Sequence, residues 1–186
     1  TSSDYKTIVK VAGAWASGGA LNTARNALSG AGSQTAGLAF AGTPPATTAL
    51  NESYDGTSWT EVGDLNNGRN AAASAGSATS AIIAGGDPTS VDAKAESWDG
   101  TSWTEITDIN TDRFQTTGAG ASNTSFIIIG GRVPPSDTMV GNTEKWNGSS
   151  WTESGDLNTG RRVAAGTGSV TAAIAVGGMG PAISTK

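Results

Sequence analysis

The sequence predicts an all-β protein built from repeated, four-stranded antiparallel units, and three observations predict it. Tryptophan recurs as Trp15, Trp59, Trp103 and Trp151, at spacings of 44, 44 and 48 residues. An arginine follows each one ten residues later, as Arg25, Arg69, Arg113 and Arg161. A short hydrophobic run closed by glycine then follows each arginine, at residues 38–42, 82–86, 127–131 and 174–178. A four-stranded unit of this length has the size of one propeller blade, so the expected fold is a β-propeller of about four blades.

Each strand has its own reason. Strand one follows the arginine. Strand two is the hydrophobic run, too short and too bounded by glycine for a helix. It ends in a Gly-Gly pair completed by Gly86, Gly131 and Gly178, while the first copy reads Ala41-Gly42. Strand three carries Glu52, Glu96 or Glu144 and then Tyr54, Trp98 or Trp146. Asp55-Gly56, Asp99-Gly100 and Asn147-Gly148 follow, a strong hairpin signal because both residue types tolerate positive φ. Strand four starts near the tryptophan.

This spacing divides the chain into a half blade at 1–18, repeats at 19–62, 63–106 and 107–154, and a half blade at 155–186. Strands three and four fall in the first half and strands one and two in the last. The two halves would make one blade of a closed four-bladed ring; otherwise the chain is part of a larger propeller. It starts at Thr1 without methionine and stops in mid-repeat, which suggests a processed product or a piece of a longer protein.

Composition narrows the function classes. Only 15% of the 186 residues are charged, and glycine numbers 27. Tryptophan recurring at fixed positions argues against low-complexity disorder. The net charge of −5 is a poor match to nucleic acid, which is held by clustered Lys and Arg. The chain has no run of 18 apolar residues, so no membrane insertion is expected. Cysteine and histidine are both absent. Catalysis by a Ser-His triad or by histidine acid–base chemistry is therefore excluded for this chain.

The conspicuous residues read as structural. The tryptophans are expected between blades and the arginines in pairs with Glu52, Glu96 and Glu144. Asp64 and Asn66, Asp108 and Asn110, and Asp156 and Asn158 repeat as Asp-x-Asn, a pattern of oxygen donors that also suits turns. The first copy has Ala20 there, so no metal is assigned. Glu61, Glu105 and Glu153 recur with the repeat, which catalytic residues do not usually do. The glycines sit at turns rather than in a phosphate-binding loop. The chain is read as non-enzymatic, without cofactor.

What varies between repeats is the loop after the Gly-Gly, at 43–51, 87–95 and 132–143. Constant strands with varied loops on one face build a recognition surface. The candidate binding residues are Asp87, Thr89, Arg132, Pro134, Pro135, Asp137 and Met139.

Gly-Gly, an aromatic, Trp and Arg in that order resemble the kelch repeat over nearly the whole chain. The Ala/Gly/Asn/Thr-rich text from Leu21 to Phe40 is similar to kelch-type repeats in virion proteins of marine tailed phages that infect cyanobacteria. That resemblance implies a virion surface protein, a tail fibre or capsid appendage, engaged in assembly or host recognition. Its partners would be other virion proteins or a host-surface glycan or protein, with homo-oligomers possible. Two other readings stay open: a secreted carbohydrate-binding or carbohydrate-active propeller, and an intracellular interaction propeller. The Ser53–Trp59 text also looks similar to the Asp-box hairpin of sialidase-type propellers, one residue short.

Overall fold

The computed structural model describes residues 18–43, 46–87 and 93–181. Trp15, Thr89 and the strands expected at 1–17 lie outside them. The described residues form fourteen strands and no helix. The first sheet is β1 (Ser29–Ser33), β2 (Ala36–Phe40), β3 (Asn51–Tyr54) and β4 (Trp59–Val62). The second is β5 (Ala73–Ser77), β6 (Ser80–Ala84), β7 (Ala95–Trp98) and β8 (Trp103–Ile106). The third is β9 (Thr117–Ser122), β10 (Ser125–Val133), β11 (Thr138–Trp146) and β12 (Trp151–Glu153). The fourth has β13 (Ala165–Ser169) and β14 (Ala172–Val176). Every sheet is antiparallel, with strands in chain order.

The hydrophobic run forms strand two because that strand is covered on both faces, so it reads as continuous rather than alternating. Leu38 and Phe40 of β2 pack against Ile83, Trp98 and Trp103 of the second sheet. Ile82 and Ala84, the other face of β6, pack against Phe126, Ile128, Trp146 and Trp151 of the third. Ile127 and Ile129 pack against Ala173 and Ala175 of β14. Trp103 meets Phe40 with ring centroids 4.9 Å apart, and the Trp151 indole donates to Thr107 O at 2.8 Å. The core therefore lies between sheets, in three layers.

Strand one is made of small residues because it stands against the strand one of the next sheet: β1, β5, β9 and β13 are successive neighbours. Gly32, Gly76, Gly120 and Gly168 recur near its end with φ of 105°, 121°, 159° and 108°. A Cβ on Gly76 would run into the Ser80 carbonyl across the hairpin, so the tight strand-one turn selects glycine there.

Two backbone series tie the sheets together. Ala71 N donates to Ala27 O, Gln115 N to Ala71 O and Val163 N to Gln115 O, at 3.1, 2.8 and 2.8 Å. Gly42, Gly86 and Gly131 donate to the carbonyls of Arg69, Arg113 and Arg161 in the next unit. Neither series closes: Ala27 N does not reach Val163 O, nor Gly178 N the Arg25 carbonyl, among the described residues. Among the described residues the four sheets form an open succession.

Two local expectations change. The Asp-Gly hairpin is a four-residue turn in which only glycine has positive φ: Gly56 at 95°, Gly100 at 99° and Gly148 at 96°. The aspartate acts instead through its side chain, as Asp55 Oδ1 accepts the amides of Thr57 and Ser58 at 2.8 Å. The segment 132–143 is mostly strand rather than loop. β10 and β11 each run nine residues, so only 134–137 are a turn.

Candidate functional site

Three arrangements are candidates: the buried arginines, the ribbon at the tip of β10 and β11, and the cavity between the first strands.

Three of the repeat arginines, Arg25, Arg69 and Arg113, sit in a cage of acceptors. Arg69 Nη2 lies 2.7 Å from Glu96 Oε1, and both side chains are fully buried. Its Nη1 donates to Lys94 O at 2.7 Å and Gly85 O at 3.2 Å. The same carboxylate accepts the backbone amides of Asn66 at 2.7 Å and Asn67 at 3.2 Å. Arg25 with Glu52 and Arg113 with Glu144 repeat the pattern, at 3.0 and 2.5 Å. Burial pulls the guanidinium pKa of Arg69 and Arg113 below its ordinary value, and the facing glutamate opposes that shift. With the fork spent on internal acceptors, these arginines present no charge to a ligand. They clamp strands two and three to the segment that enters each sheet.

The first Asp-x-Asn pair is spent in the same way. Asp64 Oδ1 accepts Asn51 N, and Asn66 Nδ2 donates to Glu96 and to Trp103 O. Among the described residues, acidic side chains do not gather in threes as a cation site would need. Glu105 is exposed and pairs with Lys94 at 2.8 Å, a contact that lowers the carboxyl pKa and raises that of the amine.

The ribbon gathers five of the seven residues expected to bind. Arg132 Nη2 meets Asp137 Oδ2 at 2.6 Å, and its Nε donates to Asp137 O. The same guanidinium lies over the Phe114 ring, 5.6 Å from its centroid. Met139 stands opposite Arg132 across the two strands. Pro134 and Pro135 form the turn, with Asp137 at φ 57°. Asp87 is elsewhere, half-buried and bridged to Asn70. The ribbon base is anchored by Leu157 N to Gly141 O and Arg161 N to Val140 O, so its tip projects from a fixed support.

The third arrangement was not legible from single motifs. The four first strands enclose an open cavity of about 600 Å³, lined by glycines such as Gly30, Gly118 and Gly166. Ser33, Gln34, Tyr54 and Trp59 also line it. Tyr54 and Trp59 are only partly buried, with ring centroids 4.9 Å apart, whereas their counterparts Trp98 and Trp103 are core. The cavity offers hydroxyl, amide and aromatic faces, the chemistry of neutral polar ligands. The signal that marks it is a small residue two places before each strand-one glycine, as in Gly30-Ala31-Gly32 and Gly118-Ala119-Gly120.

No protein-family profile matches the chain, and no curated protein matches it.

Proposed function

We propose that the chain is a run of blades from a kelch-like β-propeller that serves as a non-enzymatic binding module on a virion surface. One observation supports the reading most. Arginine–glutamate cages of one kind hold the first three sheets, while the ribbon carrying Arg132, Pro134, Pro135, Asp137 and Met139 has no equal in the other units among the described residues. A rigid repeat with one elaborated loop face suits recognition better than turnover. The resemblance to kelch-type repeats of tailed-phage virion proteins adds the setting: a tail fibre or capsid appendage that meets its assembly partners or the host surface.

The test is binding of the purified chain to host cells and to purified surface glycans, beside a variant with residues 132–143 replaced by the shorter loop 87–95. Retained binding without turnover of the glycan, lost on the swap, is the expected result. Binding that survives the swap unchanged refutes the ribbon as the recognition element. A second reading, a carbohydrate-binding propeller, is favoured by Tyr54 and Trp59 in the cavity lining, since paired aromatic faces suit sugar rings.

A further inference from the structure

The hairpin turn of the third sheet differs from its two counterparts in its first residue: Asn147 stands where the first two sheets have Asp55 and Asp99. We propose that Asn147 is a self-modification site of the folded chain. Its side chain closes onto the Gly148 nitrogen, loses ammonia and is hydrolysed to aspartate or isoaspartate.

The reaction forms a bond between Gly148 N and Asn147 Cγ and breaks the one between Cγ and Nδ2. The Gly148 amide proton goes to a solvent base, and the side-chain nitrogen leaves as ammonia. Water then opens the succinimide ring. Addition at the side-chain carbonyl leaves an ordinary aspartate, and addition at the main-chain carbonyl routes the backbone through Cγ as isoaspartate. A Cβ on the residue after the asparagine obstructs ring closure, and glycine has none. Of the eleven asparagines in the chain, only Asn67 and Asn147 precede glycine.

The fold separates these two pairs. Residues 147–150 are all exposed. Asn147 Oδ1 accepts the backbone amides of Ser149 at 2.9 Å and Ser150 at 3.0 Å, and the Ser149 hydroxyl at 2.9 Å. The bond to Ser149 N folds the side chain back over the Gly148 peptide. Three donors on the carbonyl oxygen also stabilise the negative charge that builds there as nitrogen attacks Cγ, in the manner of an oxyanion hole. Gly148 N is spent on no acceptor among the described residues. Asn67 is half-buried and held on both sides: its amide donates to Glu96 Oε1, and Arg69 N donates to Thr48 O. A Cβ on Gly68 would lie 3.1 Å from the Thr48 backbone, so the Asn67–Gly68 peptide has little room to turn.

The two products fit the hairpin differently. Aspartate is already accommodated twice, because Asp55 Oδ1 accepts the amides of Thr57 and Ser58, and Asp99 Oδ1 those of Thr101 and Ser102. Isoaspartate lengthens the main chain between Trp146 and Trp151, which pair across this turn and are both core. Either product adds one negative charge. Nothing in this site depends on what the ribbon binds.

The purified full chain is aged in neutral buffer, folded and in urea, then digested, and mass spectrometry follows the amide-to-acid conversion of each asparagine. In the folded chain Asn147 should convert faster than Asn67 by about tenfold or more. In urea the two should convert alike, because only the shared Asn-Gly text remains. Ser149→Ala removes one of the three donors, so it should slow conversion of Asn147 in the folded chain and leave the rate in urea unchanged. The Asn147→Asp variant, which is one of the products, should melt where the fresh chain does, whereas the isoaspartyl fraction should melt lower. Equal rates at Asn67 and Asn147 in the folded chain overturn the proposal, as does an aged chain with Asn147 intact. A folded Ser149→Ala chain that converts at the original rate overturns it too, and the comparison of Asn67 with Asn147 needs no variant to fold.

Discussion

Replacing Glu96 with glutamine changes one oxygen to an amide nitrogen inside a cage that contains only donors. Four donors converge on the two carboxylate oxygens. Oε1 takes Arg69 Nη2 at 2.7 Å and Asn67 N at 3.2 Å, and Oε2 takes Asn66 N at 2.7 Å and Asn66 Nδ2 at 3.0 Å. Whichever oxygen is lost, two donors then face an NH₂ group. The Arg69 guanidinium also stays buried without its counter-ion. Breaking one partner of a buried ion pair costs about 3–5 kcal/mol, chiefly because the remaining charge is stranded. For a chain of this size each kcal/mol moves the melting point by roughly 2–4 °C, so the expected fall is about 6–20 °C. Denaturant unfolding followed by tryptophan fluorescence gives the free energy directly. The control is Glu105→Gln, whose carboxylate is exposed and whose partner Lys94 is partly exposed, with a much smaller expected loss. Replacing both Arg69 and Glu96 by apolar residues should recover only part of the loss, because the Asn66 and Asn67 amides would remain without an acceptor. Equal effects of Glu96→Gln and Glu105→Gln would refute the cage as the clamp that holds strands two and three to the segment entering the sheet.

Trp103→Ala should destabilise by about 3–5 kcal/mol, as large aromatic truncations in a core do, and an unchanged melting temperature would remove Trp103 from the inter-sheet core. Gly76→Ala should cost more than about 1 kcal/mol in chemical denaturation, since its φ of 121° excludes a side chain, whereas Gly155→Ala has open space around it. Backbone amides of Ser58 and Ser102 hold the Asp55 and Asp99 carboxyls below the usual aspartate range. Their contribution is therefore complete above the unfolded value and is lost as pH falls through the lower folded one. Asn147 fills the same place in the third hairpin without titrating, so an Asp55→Asn, Asp99→Asn variant should lose less stability on acidification. Denaturation midpoints measured at falling pH check this, and an unaltered acid slope would count against it. Arg132→Ala should leave stability within about 1 kcal/mol, because its ion pair with Asp137 is partly solvated, and a larger drop in melting temperature would make the ribbon structural.

Strand number and order were legible because glycine, the Glu–aromatic pair and tryptophan mark strand ends by local chemistry, copy after copy. The Arg–Glu relation was legible as recurrence, though not the part played by the Asn66 and Asn67 amides, which only the fold brings to Glu96. The third variable segment was misread as loop. Its length and Pro134-Pro135 suggested irregular chain, yet β10 and β11 pair beyond Gly131 to Val133 and Thr138. The Asp-Gly turns were placed correctly and explained only in part, because the aspartate oxygen captures two amides while glycine alone adopts positive φ.

By itself the sequence determined the unit: its length, its four strands, and the residues that cap and clamp them. Those are local features, fixed by φ preferences, by hydrophobic runs and by spacing within one repeat. Only the tertiary structure decided how the units join. That rests on backbone bonds such as Ala71 N to Ala27 O, made between residues of no distinctive type and 44 positions apart. Among the described residues it also left Tyr54 and Trp59 partly open at one end of the succession and Arg161 without a carboxylate at the other. The units share one pattern of text, but the first and last have a neighbour on one side only among the described residues, and neighbours are what bury a repeat.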